Sequence, residues 1–444
     1  MLAPMRVLMP LLLLCLVACE RSPTPVTAPS TSVEPGADKD LVHAVLPWPL
    51  PAIGSAAQPD LVAAADGGVL LSWISADANG HVLRVARFDG HRWSAPREIA
   101  RGDDWFVNWA DTPHIIATSD GALWAHWLRK SASAAYAYDV VLSRSGDGGA
   151  TWAAPQVVND DGTPTEHGFV SLWPQTSDSI GVAWLDGRNT ATDISPDTAQ
   201  GAHAGHGGGA MALRTAVFGA GLGKTDEVEL DARTCDCCQT SAAMTAKGPL
   251  LVYRDRDEAE IRDIASTRLQ HGAWTPARTV HDDRWTMPAC PVNGPSVAAQ
   301  KNEAWVAWYT AAGEVPTLRL AHSADAGDSF SAAVDVDRGD AVQGRAGVVV
   351  DGAGVWVSWI REEPQGQSLW VARYTPDLSR ELQRVQVATL QGRGRATGFP
   401  QLLAAGQGVR VAWTDVVDGK PLLRGARIVA AGTATTTEAA TGAR

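Results

Sequence analysis

Beyond its first residues, the sequence has no apolar run approaching the ~18 residues that a membrane-crossing helix needs. It also lacks basic excess. The 37 Lys and Arg face 49 Asp and Glu, for a net charge of −12. That excludes nucleic acid as a partner, because neutralising phosphates takes clustered Lys and Arg. No long segment keeps a helical period, which excludes a helical or alternating α/β architecture. Cysteine is rare, six in 444 residues, and so are phenylalanine at six and tyrosine at five. Tryptophan is the exception at 18, set among 43 glycines and 26 prolines.

The one long apolar run is N-terminal. MLAPMRVLMPLLLLCLVAC carries a single basic residue, Arg6, then an apolar core ending in small residues. This is the pattern of a secretory signal peptide, too short and wrongly flanked for a spanning helix. Leu16-Val17-Ala18-Cys19 resembles the bacterial lipobox. The resemblance implies a signal peptide over 1–18, cleavage before Cys19 and lipidation of its thiol. With Glu20 rather than Asp next, it further implies a cell-envelope protein anchored in the outer membrane, facing the periplasm or the surface. Residues 19–41, rich in Pro, Ser and Thr, are expected to be a flexible linker, and the low-complexity segment 432–444 a disordered tail. The membrane is thus an expected partner through the lipid anchor, and the folded part, 42–431, an expected monomer.

An internal repeat organises that folded part. Seven apolar segments end in an aromatic residue, at Trp73, Trp127, Trp184, Tyr253, Trp308, Trp359 and Trp413, with intervals of 54, 57, 69, 55, 51 and 54 residues. A shorter strand-like run precedes each aromatic, and one or two follow it. These runs alternate with period two and are punctuated by Gly, Asp and Pro. Four strands in about 50 residues is the arithmetic of a β-propeller blade. Seven units predict an all-β chain with seven blades. The stretch LVHAVLPWPL, 41–50, could supply the outer strand of the last blade and close the ring.

Two loops carry a family resemblance. SRSGDGGATW contains Ser145, Asp147, Gly149 and Trp152, and a degenerate copy contains Ser323, Asp325, Gly327 and Phe330. Both resemble the Asp box, or bacterial neuraminidase repeat, of sialidase-like propellers. The resemblance implies a sialidase-like β-propeller, with the boxes on the face away from any active site. Known enzymes of this family have six blades, against seven counted here. Their opening Arg-Ile-Pro is replaced by VLPWPLPAIG, which holds no arginine.

In such a propeller the functional face collects two loop sets: those after each repeating aromatic, and those joining one blade to the next. Here they are rich in arginine and carboxylate. That suits an acidic or polyhydroxylated ligand, because a guanidinium meets a carboxylate as a planar fork. Arg188, Arg254 and Arg361 are expected to bind an acidic group on a glycan or glycoconjugate, with Asp186 and Glu166 as acid or base and Tyr309 as the nucleophile to test. An enzyme of this kind would be a glycoside hydrolase of the exo-α-sialidase type. The longest rim loop, about 186–210, adds His203, His206 and Met211 as possible metal ligands, or is a mobile lid.

The four remaining cysteines occupy the same rim. Adding 55 to Tyr253 gives Trp308, and adding 55 to Cys235 gives Cys290, so these thiols hold equivalent positions in adjacent blades. Cys237 and Cys238 lie beside Cys235, and His167 falls at the matching level one blade earlier. An exported chain favours disulfides, with Cys290 linked to Cys235 or Cys238 as a staple between blades. No cofactor is then needed. One alternative is a thiolate site for copper or zinc built from Cys235, Cys237, Cys238, Cys290 and His167, in a non-catalytic propeller that binds a soft metal or a partner protein, and another is a redox or nucleophilic thiol.

Overall fold

The structure is a computed structural model and describes residues 42–51, 53–193 and 209–431. The signal peptide, Cys19, the linker, the C-terminal tail, His203 and His206 lie outside the described residues. The described residues form seven antiparallel sheets, six with four strands in series and the fourth with its outer edge split into two short strands, Ala273–Trp274 and Arg278–Thr279, both paired to the third strand. The first blade runs Ala57–Ala63, Val69–Asp77, Gly80–Phe88 and Arg97–Gly102. The innermost strands of the others are Ile115–Ala117, His167–Pro174, Ser241–Thr245, Ser296–Gln300, Val342–Val350 and Gln401–Ala404. Each innermost strand lies beside the next, and the last lies beside the first, so the ring is closed. The protein is a seven-bladed β-propeller.

Closure uses both ends of the folded chain. His43–Pro47 pairs antiparallel with Lys420–Ala430 as the outer strand of blade seven. Gln383 of blade six clasps this strand, accepting from the His43 amide at 2.8 Å and donating to the His43 carbonyl at 2.7 Å. A closed ring leaves no unpaired inner edge to recruit another strand.

All seven repeating aromatics stand on second strands and are buried. Strand alternation sends successive side chains to opposite faces of a blade, and each face meets its neighbour's. The apolar interior is accordingly seven clusters, one between each pair of blades, rather than one central core. The cluster that joins blade seven to blade one holds Trp48, Trp73, Phe88 and Ala412. No helix among the described residues is long and apolar enough to cross a membrane.

The two loops that resemble Asp boxes close identically. Ser145 Oγ donates to Asp147 at 2.7 Å and accepts from the Gly149 amide at 2.8 Å, while Thr151 donates its hydroxyl to Asp147. Ser323, Asp325, Gly327 and Ser329 repeat this network. Gly327 sits at φ +88°, and a Cβ there would meet Leu250 at 2.5 Å, so only glycine fits. Trp152 and Phe330 pack into the inter-blade clusters. Both loops follow third strands. They therefore emerge opposite to the loops that follow second strands.

Candidate functional site

Three inner strands share one irregularity at the end nearer the inter-blade loops. The pairing register slips between Ala57 and Asp60, between Gly168 and Ser171, and between Gly344 and Gly347. At each slip a non-glycine residue takes positive φ: Gln58 at 56°, Phe169 at 53° and Arg345 at 57°. Bulges of this kind re-aim side chains and gather at sites. The amide each bulge removes from its ladder is accepted by a neighbouring side chain. Thr414 takes Gln58, Asp111 takes Phe169 at 2.8 Å, and Asn293 takes Arg345 at 2.8 Å. Gly168 permits this close approach, since a Cβ there would lie 1.9 Å from Asp111 Oδ2.

The loop between blades one and two crosses the mouth of the ring. Gln58 of blade one donates to the Asn108 carbonyl at 2.7 Å, and Gln239, from the loop entering blade four, donates to the Ala110 carbonyl at 2.9 Å. Between these ties Trp109 stacks on Phe399, which comes from the loop entering blade seven, with centroids 5.7 Å apart and planes 18° from parallel. The guanidinium of Arg345 lies 5.2 Å from the Trp109 ring centre and that of Arg395 5.7 Å. Arg345 is buried, with its N–H groups bound to Thr397 and the carbonyls of Gly394 and Gly398. Burial pulls its pKa down to about 10. Arg395 is exposed. Beneath this platform the axial channel opens into a cavity of about 140 Å³, lined by His114, Gln239, Ser296, Phe399 and Gln401 among others.

The cysteines support the platform from below. All four are in disulfides, Cys235–Cys238 within one loop and Cys237–Cys290 across the entries of blades four and five. The expected staple exists, but it runs from Cys237 and not from Cys235 or Cys238. Side-by-side entry loops bring Cys237 and Cys290 to a Cα separation of 5.9 Å, within bonding reach. These pairings engage all four sulfurs, and a copper or zinc set would need them as thiolates instead. Cys235, Cys237, Cys238 and Met211 are buried in the cluster against which Trp109 and Phe399 pack.

The three arginines singled out in the sequence do not form a shared clamp. Arg188 lies in blade three, and its guanidinium bonds both oxygens of Asp186 at 2.8 Å. That pairing, outweighing burial, raises its pKa. Arg254, on the second strand of blade four, is buried and spends its N–H groups on the carbonyls of Arg262, Asn293 and Tyr309. Desolvation brings it down to about 10. Arg361, on the second strand of blade six, contacts both Asp337 oxygens at 2.7 and 2.8 Å and also Glu363. Tyr309 is half-buried with its ring against Trp285, and burial raises its pKa.

Glu166 and Asp186 are both buried, in separate clusters. Glu166 Oε1 accepts from the Tyr138 hydroxyl at 2.7 Å, and the same hydroxyl lies 3.1 Å from Asp111 Oδ2. Tyr138 is itself buried and stacked on Phe106. Desolvation, with the neighbouring acids adding to it for Glu166, raises Asp111 to about 7 and Glu166 to about 8. Asp186 stands beside His167 and Asp161, with His167 Nε2 at 3.6 Å from Asp186 Oδ1 and 3.0 Å from Asp161 Oδ2.

Trp109, Phe399, Tyr138 and Asp161 escape the sequence reading. None falls on the repeat of aromatics, and each gains its role from a neighbour in another blade. For Trp109, Phe399 and Asp161 the signal available was their place in the inter-blade loops, the set that holds Glu166, whereas Tyr138 opens the third strand of blade two.

No protein-family model and no curated protein matches the sequence. Solved structures of similar fold include the polysaccharide lyase Uly1, at 9% identity over 90% of this chain and 94% of that one, with a TM-score of 0.48. An α-L-arabinofuranosidase from Fusarium graminearum is 14% identical over 88% of this chain and 98% of its own, with a TM-score of 0.45. The NanB sialidase of Streptococcus pneumoniae is 11% identical over 88% and 70%, with a TM-score of 0.42. Likeness at this level carries no inference about activity. The propeller assignment rests on the strand order above.

Proposed function

We propose that this protein is an exported, lipid-anchored propeller that binds an acidic glycan or glycoconjugate at the mouth of its axial channel. The observation that carries the reading is the Trp109–Phe399 stack flanked by the guanidiniums of Arg345 and Arg395. An aromatic face takes the apolar side of a sugar ring, and an exposed guanidinium takes a carboxylate or sulfate as a fork. Arg395 is free of the carboxylate partners that fill Arg188 and Arg361 among the described residues. Export with Cys19 lipidated, in the outer membrane, fits a chain whose four described cysteines are oxidised, as in compartments outside the cytoplasm.

Binding is favoured over hydrolysis of the exo-α-sialidase kind. Tyr309 has no carboxylate bound to its hydroxyl among the described residues, and the one tyrosine that does contact two acids, Tyr138, is buried beyond a substrate's reach. A nucleophile needs both a base and access.

The test is titration of the purified protein with sialylated and uronate-bearing oligosaccharides, followed by calorimetry and tryptophan fluorescence. Trp109→Ala and Arg395→Ala are each expected to weaken binding by about tenfold or more, a loss of ~1.4 kcal/mol. Unchanged affinity in both variants would remove the platform from the reading. Turnover of a fluorogenic sialoside that survives Tyr138→Phe and Glu166→Gln would show a hydrolase working from other residues.

A further inference from the structure

Blade three holds a polar cluster that the glycan reading does not use. Asp161 comes from the loop entering the blade, His167 opens its inner strand, and Asp186 ends its second strand. One ligand atom from each lies within 4.8 Å of the other two. The His167 side chain and the Asp186 carboxylate are fully buried, and Asp161 is 8% exposed.

His167 orients its ring with its other nitrogen. Nδ1 lies 3.2 Å from the Tyr138 carbonyl, an acceptor that only Nδ1–H can satisfy. When the ring is neutral, this tautomer leaves the Nε2 lone pair facing the two carboxylates. Nε2 and Asp161 Oδ2 are 3.0 Å apart, yet neither has a hydrogen-bond partner among the described residues. Their separation suits an ion pair, but their alignment does not suit a hydrogen bond. A buried lone pair aimed at carboxylate oxygens repels them unless a cation stands between.

The surroundings hold the carboxylates in place and neutralise them only in part, through Arg188. Trp184 donates its indole N–H to Asp186 Oδ2 at 2.8 Å, and the Thr163 amide donates to Asp161 Oδ1 at 2.8 Å. This is the supporting arrangement that fixes metal ligands. Arg188 forks onto Asp186 at 2.8 Å and also lies 3.5 Å from Asp161 and 3.2 Å from Glu227. Counted together, the five carboxylates Asp160, Asp161, Asp186, Glu227 and Glu229 meet three cations, Arg188, Arg214 and Lys224, so negative charge stays in excess around His167.

We propose that Asp161, His167 and Asp186 bind one divalent cation of the zinc type. Imidazole nitrogen with two carboxylate oxygens suits Zn²⁺ better than Ca²⁺ or Cu⁺. A tetrahedral ion with bonds of about 2.1 Å sets its ligands about 3.4 Å apart. The observed 3.0 and 3.6 Å bracket that value. Three protein ligands leave the fourth position for water or a ligand group. Of the cysteine–histidine set considered from the sequence, only His167 takes part.

The experiment uses the full chain, stripped with chelator and titrated with Zn²⁺ alone. The expected result is one tightly bound equivalent per chain, a rise in melting temperature that Mg²⁺ and Ca²⁺ do not reproduce, and visible absorption of a four-coordinate site when Co²⁺ replaces Zn²⁺. Asp161→Asn and His167→Gln should each lose that equivalent while keeping the far-UV spectrum of the parent. If His167→Gln fails to fold, Asp161→Asn decides, because Asp161 lies at the edge of the cluster. Absence of a stoichiometric equivalent in the parent, or its retention in Asp161→Asn, overturns the proposal and leaves a proton as the neutralising cation. The outcome is independent of glycan binding, which Trp109→Ala addresses separately.

Discussion

Tyr138 and Glu166 meet in a buried hydrogen bond of 2.7 Å, and the phenol oxygen that makes it also lies 3.1 Å from Asp111. One hydroxyl cannot donate to two carboxylates at once. The cluster is therefore most stable when it retains a proton on one of the acids.

That proton predicts a pH dependence. Asp111 rises from 3.8 to about 7 and Glu166 from 4.5 to about 8, both chiefly by desolvation. Between pH 4 and pH 8 the native state keeps protons that the unfolded chain has released, so stability falls as pH rises through that window. The melting temperature is expected to be several degrees lower at pH 8 than at pH 5. Glu166→Gln should flatten the slope. Asp111→Asn should also flatten it while still accepting the Phe169 amide, as Asn293 does for Arg345.

The two disulfides should differ in their contribution. Cys237–Cys290 closes a separation of 53 residues and Cys235–Cys238 one of only 3. Loop-closure entropy assigns about 4 kcal/mol to the longer loop and less than half of that to the shorter. Calorimetry of the Cys237→Ser/Cys290→Ser double variant should show the larger fall in melting temperature. Equal falls for both pairs would contradict an entropic origin.

Arg254 is expected to matter for folding rather than for ligand. Its fork serves three backbone carbonyls in two adjacent blades and its plane lies 4.9 Å from the Trp285 ring centre. Arg254→Met would leave those carbonyls unsatisfied and cost ~3 kcal/mol or more. A variant that melts like the parent would show that water replaces the guanidinium.

Removing residues 1–47 should abolish cooperative unfolding. The deletion takes away the strand that pairs with Lys420–Ala430 and the bonds that Gln383 makes to His43. A single sharp calorimetric transition in the truncated chain would show that the ring holds without its clasp.

Much of the fold is written locally in the chain. Strand alternation, the spacing of Trp73 through Trp413 and the turn chemistry at Ser145 and Ser323 are short-range properties, and they specify a blade, its number and its closure by 41–50. The repeat register also places Cys235 and Cys290 in equivalent loops, because identical blades put identical offsets at the same height. What it cannot specify is which atoms meet across blades. Cys237 rather than Cys235 reaches Cys290, Arg254 turns to carbonyls, and Trp109 finds Phe399 from blades far apart in sequence. Those contacts depend on the rotation of one blade against the next and on the bulges at Gln58, Phe169 and Arg345. Local propensity determined the blades; the packing of seven blades about one axis decided the site.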